Sequence, residues 1–351
     1  YAMRALCHFY VLRTFRDIPL ALKSAKNDAE IPEYIQVHPL EALDLIMEDL
    51  DRAEKLVMKS GAFSTREQNL GRITKNAVLA IKADVNLWRA AFATYYKGTE
   101  YELVHSDGTV YVQPNIAQTY YDECVQNCST LIANMDFALE EENKGKPAVE
   151  KFAFNLIQNS GETKDKDQDH ISTAYDDIFG SGNSSESIFE LQVDDKLSGY
   201  AKGAYSLYGT DGKPGLVIAP KSFISKYGEN DLRAYSYTNY VPNSNSVLCV
   251  AKYAAKSAPA KNYRTSDDWD ANWILYRRTD VMLMMAEAMV ARESANEEDY
   301  KKAFVTSDRI QLPYNVFCDP SLDVELELDD NDVDSIQNDT IITIDNIYYQ
   351  Y

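Results

Sequence analysis

Residues Trp273 to Ser294, WILYRRTDVMLMMAEAMVARES, constrain this chain more than any other stretch, because a short apolar entry runs directly into a methionine-rich helix. Val281, Met284, Met285, Ala288 and Val290 recur near helical spacing, and Ala286, Ala288 and Ala291 are small enough for a second helix to approach closely. A helix of this kind is an internal strut that needs neighbours. Arg278, Asp280 and Glu287 lie within it, where partial burial favours structural ion pairs over catalytic roles.

The neighbours are legible at the other end of the chain. MRALCHFYVLRTFRDIPL, from Met3 to Leu20, reads as an amphipathic helix ended by an X-Pro step. In the next block, Val37 to Val57, the residues Leu43, Ile46, Leu50, Ala53 and Val57 step by three and four towards a core, with Glu48, Asp49, Asp51, Arg52 and Lys55 expected in water. A third helix begins after Thr74, an expected N-cap, and aligns Ala77, Ala80, Ile81, Asp84, Trp88 and Ala91. Leu43 to Ala77 spans the roughly 34-residue tetratricopeptide period, so helices 40–58 and 74–92 have the size of one repeat. One such pair cannot bury its own apolar face, and Tyr120 to Asn134 with Thr279 to Arg292 supply a second pair. The expectation is a mainly α, tetratricopeptide-like superhelix with an irregular, turn-rich insertion between about 140 and 276.

In this order, the blocks resemble the RagB/SusD family of outer-membrane nutrient-binding lipoproteins. The resemblance continues through YYDECVQNCSTLIANMDFAL (Tyr120 to Leu139) and YDDIFGSGNSSESIFELQ (Tyr175 to Gln192). It is densest in NWILYRRTDVMLMMAEAM, similar to the family's Arg-x-x-Asp-Val-x-Leu-Met-x-Ala-Glu-Ala run through Arg277 or Arg278, Asp280, Val281, Leu283, Met284, Ala286, Glu287 and Ala288. It covers most of residues 3–292. Arg16 stands where the family usually has glycine before its Ile-Pro-Leu, and Asn86 where an apolar or aromatic residue is common.

The resemblance implies one SusD-like unit: a first scaffold part at 1–139, a loop-rich, ligand-facing insertion at 140–276, and a closing helix with an acidic C-terminal region at 277–351. It implies a surface-exposed outer-membrane lipoprotein that hands oligosaccharides to a SusC-like TonB-dependent transporter, without catalysis or cofactor. Tyr1 falls in mid-pattern, so the natural chain is expected to begin upstream with an export signal and lipid-bearing cysteine, its membrane attachment lying in that anchor. After Arg309 there is no Lys or Arg, and the tail is unlike the family's usual closing helices.

Composition narrows the alternatives. The net charge is −20, from 35 Lys and Arg against 55 Asp and Glu, so sequence-independent nucleic-acid binding is disfavoured. No apolar run reaches the length of about 18 residues that a spanning helix needs. Five cysteines with no CxxC argue against a disulfide framework, and Cys124 and Cys128 read as small core residues one turn apart. The four histidines have no metal-ligand spacing, and no GxSxG, GxxxxGK[ST] or GxGxxG motif is present. DDNDVD, Asp329 to Asp334, has a calcium loop's alternating oxygens but lacks its glycine and closing glutamate.

The insertion sets aromatic rings among Asn, Asp, Arg and Lys. A pyranose offers a C–H-rich face to a ring and hydroxyls to fixed donors and acceptors, so this chemistry suits sugars. The expected ligand-binding residues are Trp269, Arg264, Tyr263, Tyr205 and Tyr208 in the loops, with Tyr95 and Tyr96 joining them from a helix end to form one shallow platform. Trp273, at the entry to the strut helix, reads as packing. Peptide capture by the same fold is the nearest alternative; a glycoside hydrolase and a protein-binding adaptor are further ones.

Overall fold

The computed structural model describes residues 1–31, 36–99, 115–144, 176–193, 198–210, 213–219, 238–240, 248–250, 252–257, 262–292 and 295–303. The acidic tail, with DDNDVD, lies outside them.

Helix α1 (Ala2–Phe15) packs on α2 (Pro39–Glu54), which packs on α4 (Lys75–Tyr95); the short α3 (Arg66–Gly71) lies between them in sequence. Helix α5 (Ile116–Asn143) packs on α4, and α7 (Arg278–Ala291), the strut helix, packs on α5. Each helix thus covers the apolar face of the one before it, which is how stacked helical pairs acquire a continuous core. The core takes Leu43, Ile46, Leu50 and Ala53 from α2, Ala77, Ala80 and Ile81 from α4, Cys124, Cys128 and Leu131 from α5, and Val281, Met284 and Ala288 from α7. A hydrogen bond to Cys128, with burial, pushes the Cys124 thiol well above its ordinary range, consistent with an inert core residue.

Local chemistry sets the helix ends. Pro39 begins α2, where its missing N–H costs nothing, and the Leu40 N–H bonds to His38 Nδ1 at 3.2 Å. Thr74 does occupy the N-cap of α4, but its side chain makes no capping bond; its hydroxyl accepts from Ser60 Oγ at 3.0 Å. Helix α1 ends at Arg16 with φ 65° and ψ −79°, a left-handed conformation that explains why glycine would suit this position.

One charge expected in water, and one neutral polar side chain, are drawn inside. Asp49 is not on the wet face of α2: it is 3% exposed and receives Arg4 Nε and Nη2 at 2.6 and 2.7 Å. Asn86 is likewise buried, its Oδ1 accepting from Arg89 Nη1 at 2.9 Å. Arg89 also reaches Asp44 of α2 at 2.7 Å and lies 3.9 Å from the Tyr120 ring centroid, tying α2, α4 and α5 together.

The strands are short. β1 (Ile18–Pro19) pairs with β2 (Gln36–Val37) behind α1. The insertion contains β3 (Ser187–Leu191), helix α6 (Ser198–Tyr208), the β4–β5 hairpin (Gly209–Thr210 and Lys213–Pro214), and a small antiparallel sheet ordered β6 (Ile218–Ala219), β8 (Leu248–Val250), β7 (Thr238–Tyr240). β9 (Ala255–Ser257) pairs with β10 (Asn262–Tyr263), and β11 (Trp273–Arg277) pairs antiparallel with β3 in the register Trp273 to Leu191, Ile274 to Glu190, Tyr276 to Phe189 and Arg277 to Ser187. β11 runs straight into α7, so the loops and the helical core share one continuous element. The fold is mainly α: a tetratricopeptide-like helical superhelix carrying a loop-rich insertion.

Candidate ligand-binding site

The insertion has its own small core. Ile178 and Phe179, from the turn Asp176–Gly180, meet Ala204 of α6 and Tyr253, Ala254, Trp269 and Ala271, with Tyr205, Tyr208 and Ile274 packed at its edge. Arg264 is the polar strut of this cluster. Only 2% exposed, it donates from Nε to Asp270 Oδ1 at 2.6 Å, from Nη2 to the Gly180 carbonyl at 2.6 Å and from Nη1 to the Tyr253 carbonyl at 3.3 Å. Burial alone would raise the Asp270 pKa, but the hydrogen bond and charge of Arg264, with Lys256 beside it, hold it below the ordinary carboxylate value.

Trp269 is not an exposed platform. It is 1% exposed, and Tyr208 stacks against it with ring centroids 6.0 Å apart and planes 19° apart. The ring fills the loop core among Ile178, Phe179, Ala204, Tyr253, Ala254 and Ala271, where close packing favours a large side chain. Arg264 is buried with it, its guanidinium committed to three acceptors within the loop core.

Trp273 does pack, but only on one side. It is 39% exposed and lies on Tyr253, with centroids 4.8 Å apart and planes 24° apart; Tyr253 in turn meets Phe179 edge-on at 5.4 Å. Tyr253 holds φ 65°, rare for a bulky residue, and its surroundings fix it there. Sequence periodicity assigns Trp273 to packing because it borders the strut helix. The signal that would have placed it outward is the alternation of β11 against β3, which could be read only with the strand pairing known.

The helix-end tyrosines do not join this cluster. α3, just before α4, touches β3: Arg66 Nε donates to the Asn183 carbonyl at 2.5 Å, and Gly71 lies so close to Gln192 that an added Cβ would meet it at 2.4 Å. Tyr95 and Tyr96 stand at the C-terminal end of the 21-residue α4, and neither belongs to the loop core. Tyr95 is 77% exposed, whereas Tyr96 packs on Phe92 and His38 with the Arg16 guanidinium over its ring. Tyr263 lies in β10, and its side chain is outside the described residues.

The strut charges are placed by geometry. Arg278 Nη2 reaches Asp136 of α5 at 2.6 Å, and Asp280 accepts the Arg277 N–H at 3.0 Å in a capping box at the start of α7. Glu287 is half-buried; burial raises the Tyr121 pKa, and the Glu287 charge adds to it. Arg277 takes a different partner, Glu186, at 3.3 Å; this carboxylate is 1% exposed and also accepts from Thr279 Oγ1 at 3.0 Å. Glu190 is fully buried and receives the Asn183 N–H, the Ser187 hydroxyl and Asn272 Nδ2. These two glutamates hold the β3–β11 pair, and only their place in the Glu-Ser-Ile-Phe-Glu passage marks them in the sequence.

Among the described residues no cluster of three or more His, Cys, Asp or Glu side chains is arranged to hold a metal, and no helix is long and apolar enough to cross a membrane.

Helices stacked in series and closed by a strand–helix element, with a loop insertion holding an aromatic core, define a class of helical scaffold proteins. The particular fold is that of the SusD superfamily, so the resemblance read in the sequence holds at the level of structure. A SusD superfamily protein from Parabacteroides distasonis aligns with TM-score 0.51 and 21% identity, over 90% of this chain and 59% of that one. A SusD-like carbohydrate binding protein from Bacteroides vulgatus aligns with TM-score 0.56 and 13% identity, over 96% and 58%. Surface glycan-binding protein A from Bacteroides thetaiotaomicron aligns with TM-score 0.51 and 18% identity, over 92% and 62%. The chain therefore spans about three-fifths of the length of these solved proteins. No protein-family model matches the chain, and no curated protein matches it.

Proposed function

We propose that this protein captures oligosaccharides at the cell surface, as a lipid-anchored outer-membrane protein, and passes them to a SusC-like TonB-dependent transporter without making or breaking a bond. The observation that carries this reading is the SusD-like helical superhelix with aromatic rings fixed in its loop insertion. Two solved proteins of the same fold are named for carbohydrate or glycan binding, which supports oligosaccharide over peptide. Tyr205 and Tyr208, half-buried at the edge of the loop core, and Tyr263 nearby in the chain belong to the proposed ligand face.

Titration calorimetry with neutral oligosaccharides, followed by mass analysis of the recovered sugar, tests the proposal. Saturable binding with the sugar intact is the expected result. Shortened sugars would make the protein a hydrolase, and a response to protein digests alone would make it a peptide binder. Transporter hand-off is tested separately, by co-purification with a SusC-like transporter.

A further inference from the structure

The β3–β11 edge presents one ring whose orientation is fixed from two directions. Beneath it, Trp273 lies on Tyr253, which is itself buried, held at positive φ and braced edge-on by Phe179. Along the backbone, Trp273 pairs with Leu191, and the adjoining strand ends are locked by carboxamides. Asn272 Oδ1 accepts the Val193 N–H at 3.0 Å, Asn272 Nδ2 donates to Gln192 Oε1 at 3.1 Å, and Gln192 Nε2 donates to Asn183 Oδ1 at 2.8 Å. Trp273 and Leu191 are nevertheless 39% and 50% exposed.

Exposing an indole while bracing it this firmly has a specific use. A ring that is already immobile loses no rotamer freedom when a ligand stacks on it, so the full stacking energy appears in binding. A single ring with one leucine is far smaller than a stable protein interface requires, but it matches the face of one sugar ring. Alongside, the Gln192 Nε2 amide has one N–H beyond its bond to Asn183, a donor suited to a hydroxyl.

We infer that Trp273, flanked by Leu191 and the Gln192 carboxamide, is a stacking platform for one pyranose ring of the bound glycan. This rests on the oligosaccharide reading above and assigns it a contact that the sequence places elsewhere. Trp269 supports the platform from within the loop core and does not touch the sugar.

The test is titration of cellohexaose, laminarihexaose, maltohexaose and xyloglucan oligosaccharides into the wild type, Trp273→Phe and Trp273→Ala, with thermal melts of all three. For the sugar that binds, Trp273→Ala is expected to weaken affinity about tenfold, Trp273→Phe to retain most of it, and all three to melt together. Sugar should also alter tryptophan emission in the wild type and leave it unchanged in Trp273→Phe. Wild-type affinity in Trp273→Ala would overturn the platform and leave the functional reading intact. Failure of the wild type to bind any of the four sugars would overturn both.

Discussion

The Tyr276 hydroxyl donates to Asp84 Oδ2 at 2.7 Å, joining β11 to the middle of α4 across 192 residues of sequence. Arg13 of α1 lies 3.5 Å from the same carboxylate, so three elements meet at one largely buried group, its side chain 13% exposed. Burial raises the Asp84 pKa despite Arg13, and burial together with Asp84 pushes the Tyr276 phenol well above its ordinary range. This bond docks the loop-bearing strand onto the helical core.

Tyr276→Phe should therefore cost about 1–3 kcal/mol, because it leaves a buried carboxylate short of a donor. Urea unfolding with an unchanged slope is the measurement. A midpoint equal to that of the wild type would show that Arg13 alone satisfies Asp84.

A carboxyl whose folded pKa is raised contributes stability that is complete below its unfolded pKa and is lost as pH rises through the folded value. Asp84→Asn retains an acceptor for Tyr276 and cannot ionise. Relative to the wild type, it should gain stability steadily as pH is raised from below the ordinary carboxylate value towards neutrality. A constant difference in melting temperature across that range would refute the assignment.

Arg16 is held at φ 65° at the end of α1, where its amide still bonds to the Leu12 carbonyl. Arg16→Gly removes the steric cost of a side chain in this region but gives up the contacts to Asp17 and the Tyr96 ring. Exposed ion pairs of this kind are worth little, so the backbone gain wins and the variant should be more stable by about 0.5–1 kcal/mol. Arg16→Ala, which keeps the strain and loses the contacts, should be less stable than the wild type.

Glu186, 1% exposed, accepts from both Arg277 and Thr279. Glu186→Ala strands the guanidinium in a largely buried site and should destabilise by about 3–5 kcal/mol. Because Glu186 precedes β3 and Arg277 ends β11, hydrogen exchange should show that strand pair losing protection before α2 does.

Trp269→Ala empties the centre of the loop core and should cost about 3–5 kcal/mol. Asp270, whose pKa is held down by Arg264 and Lys256 against the effect of burial, contributes stability present above its unfolded pKa and lost as pH falls through the lower folded value. Acid should therefore weaken the loop core in the wild type, and Asp270→Asn should be insensitive over the same window. Tryptophan fluorescence follows both changes.

The helices and their order are legible in the sequence because the spacing of Leu43, Ile46, Leu50 and Ala53, or of Val281, Met284 and Ala288, is a local property of one helix. The same local reading misplaces Asp49, because a helical wheel shows which face is polar but not that Arg4 of another helix will cover it. Arg16 is the reverse case: the departure from glycine is visible in the sequence, and the structure supplies its cause in a single dihedral angle.

The ligand face illustrates the limit most clearly. Trp269 and Trp273 are four residues apart, and the local context, acidic around Trp269 and apolar after Trp273, points the wrong way about which is the more buried. By itself the sequence determined a mainly α, tetratricopeptide-like chain with an aromatic-rich insertion, because helical periodicity and composition are written residue by residue. Only the tertiary structure decided which indole is buried and which is exposed, that Arg264 is a strut, and that Tyr95 and Tyr96 stand apart. Those outcomes depend on the β3–β11 register and on which loop meets which, contacts between residues far apart in the chain that no local pattern encodes.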